Sequence, residues 1–293
     1  MTKLVRLHHA NASSNRGPGK VLGNLTKGLQ ELGLLAPPEA PPGDVLHGVL
    51  QGMPFSALEG TDASRCLYGP NIFVLPSDLP PSIFGVMQRI VVPSKWVLDL
   101  YRRFPAVEKC KIDIWPVGID TEEWAPREVK TIGPLTGQLK CLLYYKNRSK
   151  QDLEFVKKML ATHDIDTRVL EYGNYQESEF RSLCHWADFG VLLTNTESQG
   201  IAYMEMLSMD LPLFVFNQPW WNNEGAYDKV PATSVPYFDA RCGEVTVGPN
   251  EPLFLNFLEG VRKWKYSPRK YILENHTLVQ SARNYYHLFD AKD

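Results

Sequence analysis

The sequence predicts an α/β protein built on parallel sheets, and three observations support this class. Short apolar runs typical of buried strands alternate with amphipathic stretches along most of the chain. Such alternation indicates doubly wound sheets, in which each helix returns the chain to begin the next parallel strand. The length of 293 residues suits two domains of ordinary size or one large α/β domain. A segment rich in Pro and Gly at 124–137 is typical of an interdomain linker and favours two.

In the first half of the chain, five apolar runs predict strands at 4–8, 44–50, 66–75, 89–94 and 111–120. Two helices are predicted between them. One spans the apolar residues from Val21 to Leu32 and ends at Gly33. The other runs from Lys95 to Phe104, with Ser94 placed to cap it.

The second half repeats the alternation. Strands are predicted at 140–145, 167–172, 189–193 and 211–216, and helices at 154–160, 177–186 and 269–289, with a further helix around Glu205. Ligands of open α/β sheets bind at the carboxyl ends of the strands, beside helix N-termini. The loops that follow these strands are therefore where functional residues are expected.

Composition excludes several classes of function. The formal net charge of −2 gives no indication of nucleic acid or of an anionic membrane surface. Five scattered cysteines without CxxC spacing argue against a disulfide framework and a zinc site. No apolar run reaches 18 residues, and the start of the chain does not resemble a signal peptide. We expect a cytoplasmic enzyme with reduced thiols.

The stretch 197–205 is the most informative part of the chain. Glu197 and Glu205 stand eight residues apart with Gly200 between them, after one apolar run and before another. Glu197 is thus predicted in a loop after a strand, and Glu205 two turns into the following helix. A helix N-terminus attracts phosphate, glycine lets the backbone approach it, and carboxylates accept hydrogen bonds from sugar hydroxyls. These residues predict a phosphate-plus-sugar site.

Two other loops could contribute to a phosphate site. Lys146, Arg148 and Lys150 follow the strand 140–145, and three cations within five residues suit a diphosphate. In the first half, Gly17 and Gly19 lie in a Gly-rich loop between the first strand and the first helix, which could cradle a phosphate but is not a P-loop. The alternative in each case is a turn without a bound ligand.

The stretch 197–205 resembles the E-x7-E signature of retaining glycosyltransferases of the GT-B fold, especially family 4. The runs 92–101 and 116–121, and the cations after 140–145, are also similar to that family in the same order. The resemblance implies that Glu197 meets the donor sugar and that Glu205 binds the ribose. It further implies that the loop of Ser198, Gln199, Gly200 and Ile201 meets the diphosphate, and that Lys146, Arg148 or Lys150 holds it. Tyr172 and Asn174 would lie where the nucleotide base is seated.

The same resemblance implies the architecture and the reaction. We expect two Rossmann-like domains facing a central cleft, an acceptor-side domain of residues 1–118 with a C-terminal helix at 276–293, and a nucleotide-sugar domain of residues 119–275. We expect retaining transfer of a hexose-type sugar from a UDP- or GDP-linked donor to a glycan, a lipid or a small molecule. No metal and no further cofactor are expected. Peripheral contact with a membrane is left open.

Several residues have weaker indications of function. Asp164 and Asp166 form an Asp-x-Asp pair, but they precede a strand, so we do not interpret them as a metal site. His8, His9 and His47 each end or follow a predicted strand and are candidates for acceptor contact, as is Asn71. The segment 217–222 follows a strand and contains two Trp residues, which stack on sugars or pack at a rim.

Two other functional classes remain open from the sequence. A sugar-nucleotide epimerase or hydrolase of the same fold would use the same donor site without an acceptor. A catalytically silent sugar-nucleotide-binding protein would bind the donor and never consume it. An epimerase or hydrolase would consume the donor without an acceptor, whereas a glycosyltransferase requires one. A binding protein would consume no donor under any condition.

Overall fold

The computed structural model describes residues 3–9, 17–50, 58, 61–70, 74–87, 89–126, 135–223 and 227–290. It divides the chain into two compact units. The first consists of Met1–Asp120 and His276–Asp293, and the second of Thr121–Asn275. Asn71 lies outside the described residues.

The helices and strands alternate through both units. The helices are α1 (Pro18–Glu31), α2 (Lys95–Tyr101), α3 (Lys150–Thr162), α4 (Glu177–Trp186), α5 (Ile201–Ser208), α6 (Glu251–Arg262), α7 (Pro268–Asn275) and α8 (Leu278–Asp290). The strands are β1 (Leu4–His8), β2 (Val45–Val49), β3 (Cys66–Tyr68), β4 (Arg89–Val92), β5 (Lys111–Ile114), β6 (Lys140–Lys146), β7 (Asp166–Glu171), β8 (Phe189–Thr194), β9 (Leu213–Phe216), β10 (Trp220–Asn223), β11 (Tyr227–Pro231) and β12 (Gly243–Thr246).

The first unit holds a five-stranded parallel sheet in the order β1-β2-β3-β4-β5. Helix α8 is an integral part of this unit although it follows the second unit in the chain. It packs on α1, where a Cβ added to Gly28 would lie 2.5 Å from the carbonyl oxygen of Leu278. The indole of Trp115 donates to the carbonyl of Ser281 (2.8 Å), and the Ser281 hydroxyl donates to the carbonyl of Pro116 (2.8 Å).

The second unit holds another five-stranded parallel sheet, in the order β12-β9-β8-β6-β7. The chain passes from β6 outward to β7 and then crosses back to β8 on the other side of β6. Such a reversal of direction is a topological switch point, and it opens a crevice at the carboxyl ends of the two central strands.

Strand β6 is buried on both faces, which explains its unbroken apolar run. Cys141, Leu143 and Tyr145 belong to a core that also includes residues of α3 and α6. On the opposite face, Tyr144 contacts Phe180 of α4, with ring centroids 5.9 Å apart. Helices therefore cover both faces of this sheet.

The structure corrects several predicted element boundaries. Helix α3 begins at Lys150 rather than Glu154, because the Ser149 hydroxyl accepts the backbone N–H of Asp152 at 3.0 Å and caps it. Helix α2 ends at Tyr101 rather than Phe104. The predicted terminal helix at 269–289 is two helices, α7 and α8, since the connection between them pairs with Ile119.

The segment 124–137 was predicted as a linker. The two parts of it that the structure describes, 124–126 and 135–137, belong to the second unit. Trp124 is buried against Phe180, with ring centroids 5.4 Å apart, and Leu135 packs on the core of the sheet. A hairpin of β10 and β11 between β9 and β12 was not predicted. None of the helices in the described ranges combines the length and apolar character needed to span a bilayer.

The contact between α1 and α8 gives a test of the first unit. Gly28→Ala would place a Cβ 2.8 Å from that of Ala282, so we expect a loss of about 1–3 kcal/mol of stability. Gly23 lies in the same helix with nothing within 4 Å of an added Cβ. Gly23→Ala should therefore be neutral or stabilise by up to about 1 kcal/mol. Thermal unfolding of both variants checks this, and equal midpoints would contradict the close packing.

Candidate functional site

The candidate site lies at the carboxyl ends of β6 and β8. These strands are neighbours, and Lys146 and Thr194, their last residues, are register partners. The chain leaves β6 toward one edge of the sheet and leaves β8 toward the other. Side chains that follow the two strands consequently meet in the crevice of the switch point.

Lys146 and Glu197 form an ion pair in this crevice. The Lys146 ammonium lies 2.8 Å from one carboxylate oxygen of Glu197 and 3.0 Å from the other. The two side chains are only 22% and 14% exposed. Burial raises the pKa of Glu197, and the charge of Lys146 offsets part of that rise. Lys146 also lies 4.5 Å from the centroid of the Tyr172 ring, so three of the predicted site residues come together.

A tyrosine that was not among the predicted site residues lies beside Lys146 and Glu197. Tyr144 precedes Lys146 by two residues on β6, and its side chain therefore lies on the same face. Its hydroxyl is 3.3 Å from that of Tyr175. Burial, first of all, and the nearby Tyr175 and Glu197 raise its pKa, which keeps the hydroxyl neutral.

The loop 197–201 turns sharply into α5 at Gly200. Gly200 has φ 81° and ψ 55°, in the left-handed region. A Cβ there would lie 2.1 Å from the buried ring of Tyr203, so only glycine fits. The backbone N–H groups of the first turn of α5, beginning at Ile201, have no acceptor within the helix and can receive an anion. In this loop Ser198 is exposed and Gln199 is buried.

The other two predicted cations occupy different positions. Arg148 is mostly buried, and its guanidinium donates to the carbonyl of Thr194 at 3.3 Å and forms an ion pair with Asp152 at 3.1 Å. It therefore binds the carboxyl end of β8 directly. Lys150 is the exposed first residue of α3.

Two further predicted residues belong to the second unit. Glu205 lies within α5 and is only 2% exposed. Asn174, after β7, is exposed and donates to the carboxylate of Glu171 at 3.0 Å. Among the described residues, no cluster of three or more His, Cys, Asp or Glu is arranged to hold a metal ion.

In the first unit, the predicted glycines lie at the start of α1. Gly17, with φ 44°, is the residue before α1, and open space surrounds the position of its Cβ. Gly19 is the second residue of the helix. A glycine is therefore needed at Gly17 for its backbone conformation, whether or not a ligand binds there.

Two of the candidate histidines form a pair. His8 Nε2 lies 2.9 Å from His47 Nδ1, and the rings stack with centroids 5.1 Å apart. His47 Nε2 lies 3.1 Å from the carbonyl oxygen of Pro42. Since a carbonyl can only accept, His47 carries its hydrogen on Nε2 and accepts the bond from His8. Burial, and then His47, lower the pKa of His8 to about 4.

The segment of Thr233 and Ser234, which the sequence did not indicate, supports the loop that carries Glu197. The backbone N–H of Glu197 donates to the carbonyl of Thr233 at 3.0 Å. Ser234, next in the chain, is fully buried, and its hydroxyl donates to the carbonyl of Thr194 at 3.3 Å. These contacts join residues about forty positions apart, and no local pattern signals them.

Comparison with known proteins gives a match at the level of structure. No family model matches the sequence, and no curated protein matches it. Among solved structures, a glycosyltransferase from Rickettsia africae ESF-5 matches with 10% identity over all of both chains and a TM-score of 0.57. Sucrose-phosphate synthase from Thermosynechococcus elongatus matches with 10% identity over 99% of this chain and all of that chain, with a TM-score of 0.55.

A third structure, the lipopolysaccharide outer core galactosyltransferase WaaB, matches with 10% identity over 98% of this chain and 99% of that chain, with a TM-score of 0.54. All three matches extend over nearly the whole chain and include both units. The chain has the GT-B fold, so the predicted fold class is confirmed.

The ion pair gives a pH-dependent test. Lys146→Met removes the charge that offsets burial of Glu197, so the pKa of Glu197 should rise further. The folded state then binds more protons than the unfolded state above the ordinary pKa of a Glu, and the free energy of unfolding falls as the pH rises through that range. We expect Lys146→Met to lose about 1–3 kcal/mol more than the wild type between about pH 5 and about pH 8.

Urea denaturation at both pH values measures this difference. The double variant Lys146→Met/Glu197→Gln serves as the control, because it has no buried carboxylate to titrate at this position. Parallel pH profiles for the wild type and Lys146→Met would show that the pair does not control the titration of Glu197.

Proposed function

We propose that this protein is a glycosyltransferase that moves a sugar from a nucleotide-diphospho-sugar to an acceptor hydroxyl. The observation that carries the proposal is the Lys146–Glu197 pair, held at the switch point of a GT-B fold beside the glycine-initiated start of α5. A carboxylate for sugar hydroxyls, an ammonium and free backbone N–H groups for phosphate thus lie at one edge of one sheet.

The donor would lie across this edge. Its diphosphate would meet the loop 198–201 and the first turn of α5, with Lys146, Arg148 and Lys150 supplying positive charge. Glu197 would accept hydrogen bonds from the transferred sugar. Glu205 would bind the ribose, and the region of Tyr172 and Asn174 would seat the base.

The reaction breaks the bond between the anomeric carbon and the oxygen of the diphosphate, which keeps the electron pair. Negative charge grows on this oxygen as the sugar becomes oxocarbenium-like, so cations aimed at it stabilise the transition state more than the ground state. The acceptor oxygen bonds to the same carbon, and its proton passes to the departing phosphate. We propose that this occurs on one face, with retention of configuration, and that protein cations rather than a metal neutralise the charge.

The first unit would bind the acceptor, and the second unit would bind the donor. The acceptor class we propose is a glycan or a lipid, with the enzyme in the cytoplasm and in contact with a membrane surface where the acceptor is a lipid. The three similar structures support sugar transfer, since two are glycosyltransferases and the third is a sucrose-phosphate synthase.

A thermal-shift screen against UDP, GDP, ADP, dTDP and CMP, with and without EDTA, tests the donor site. A ligand that binds only the folded state raises the melting temperature. We expect one nucleoside diphosphate, UDP or GDP, to raise it by several degrees regardless of EDTA, and CMP to have no effect. No shift with any nucleotide would overturn the proposal, and a shift that EDTA abolishes would overturn metal independence.

The two glutamates should have separable roles. Glu205→Gln should weaken binding of the nucleoside diphosphate about 10-fold or more, because a charged hydrogen bond to the ribose is lost. Glu197→Gln should lower kcat about 100-fold with little change in that affinity, because its contact is with the reacting sugar. Calorimetry and NMR of donor consumption measure both quantities.

Glu154→Gln, an exposed position on α3, is the control for these variants and should behave as the wild type. NMR of the product also reports the anomeric configuration, and inversion would contradict the proposed stereochemistry. Consumption of the donor at the same rate without acceptor would favour a hydrolase or an epimerase instead. Unchanged kinetics in both glutamate variants would refute the assigned roles.

A further inference from the structure

Three separate segments meet behind Glu197, at the carboxyl edge of the second sheet. The first is 194–197, which follows β8. The second is 217–218, which follows β9. The third is 233–235, where the chain returns from the β10–β11 hairpin. Each comes from a different part of the sequence, and polar side chains join them.

Asn217 is the centre of this junction. Its side-chain oxygen accepts two hydrogen bonds, one from the Thr233 hydroxyl at 2.9 Å and one from the backbone N–H of Ser234 at 2.7 Å. Its own backbone N–H donates to the carbonyl of Thr246 on β12 at 2.7 Å. Asn217 is therefore fixed to the sheet and in turn fixes the returning segment.

The returning segment holds the loop that carries Glu197. The Thr233 carbonyl accepts the backbone N–H of Glu197 at 3.0 Å, and the Ser234 hydroxyl donates to the carbonyl of Thr194 at 3.3 Å. The Ser234 hydroxyl also accepts the backbone N–H of Gln218 at 2.9 Å, and the Thr233 hydroxyl accepts that of Val235 at 3.1 Å. Buried backbone groups on both sides of Glu197 are thereby satisfied.

We propose that Asn217 is a positioning residue that fixes the location of Glu197 through Thr233. It acts through the backbone, since its side chain contacts residues 233 and 234 rather than the Glu197 carboxylate. The Lys146 ammonium binds the carboxylate itself. Two contacts therefore define the position of Glu197. The Thr233 carbonyl binds its backbone N–H, and the Lys146 ammonium binds its carboxylate. The catalytic part of this inference rests on the proposed function.

A displaced reacting group reduces rate far more than it reduces binding, because an error of about 1 Å can cost about 100-fold in catalysis. Asn217→Ala removes the acceptor of both bonds, and Thr233→Val removes the hydroxyl while keeping the carbonyl that binds Glu197. We expect each to lower kcat about 10- to 100-fold while leaving the affinity for the nucleoside diphosphate within about 3-fold. Thr233→Ser retains the hydroxyl and should restore most of the rate.

Two further comparisons make the test specific. Asn250→Ala is the matched control, since Asn250 also accepts a backbone N–H through its side-chain oxygen, that of Leu253 at 3.1 Å, at the start of α6. It should lower stability without changing kcat. The loss of rate in the double variant Asn217→Ala/Thr233→Val should be well below the product of the two single losses, because both changes remove the bond between Thr233 and Asn217.

Hydrogen exchange supplies a readout that does not depend on activity. In Asn217→Ala and Thr233→Val, the amide of Glu197 should exchange at least 10-fold faster than in the wild type, whereas amides in β6 should be unchanged. Unchanged exchange at Glu197 would overturn the positioning role. Faster exchange with unchanged kcat would overturn its catalytic consequence. A wild-type protein that consumes no nucleotide sugar would refute the proposed function while leaving the exchange test valid.

Discussion

The hydrogen-bonded pairing of β6 with β8 is the constraint on which the candidate site depends. The two strands are separated in the sequence by β7 and two helices, yet their ladder runs from Cys141 with Phe189 to Lys146 with Thr194. This register ends both strands at the same level, so the residues that follow them enter the same crevice. A shift by one residue would turn Lys146 to the opposite face of the sheet and separate it from Glu197. The pairing of the two backbones thus determines where the side chains of the site lie.

The pairing also explains how a charged carboxylate can be kept in a largely buried place. Burial raises the pKa of Glu197, and the ammonium of Lys146 lies close enough to offset part of that rise. Arg148 contributes differently, because its guanidinium binds the carbonyl oxygens at the ends of β8 and β9, Thr194 and Phe216. One cation therefore opposes the effect of burial on Glu197, and the other binds the strand ends around it.

The sequence predicted β6, β7, β8 and β9 of the second sheet but missed its edge strand β12. Strands β6, β8 and β9 are continuous apolar runs, as expected of strands that are buried on both faces. The sequence also placed Glu197 and Gly200 in the loop after β8, where the structure has them, whereas Lys146, predicted to follow a strand, is the last residue of β6. It could not predict that Asn217 and Thr233 support Glu197, since these contacts join loops that lie far apart in the sequence. The pairing of His8 with His47 was equally hidden, because only the adjacency of β1 and β2 brings the two rings together. The predicted linker was wrong at Trp124, where tertiary packing outweighs a Pro- and Gly-rich composition.

The discontinuity of the first unit has a consequence for how the chain folds. Residues 121–275 form a contiguous unit that can complete its sheet as soon as it has been synthesised. The first unit cannot be completed at that stage. Gly28 of α1 and the indole of Trp115 both contact α8, which is synthesised only after the entire second unit. The unit nearest the N-terminus is thus the later one to mature, with contacts more than 160 residues apart, such as that of Trp115 with Ser281, closing last. We therefore expect the second unit to fold before the first unit is complete.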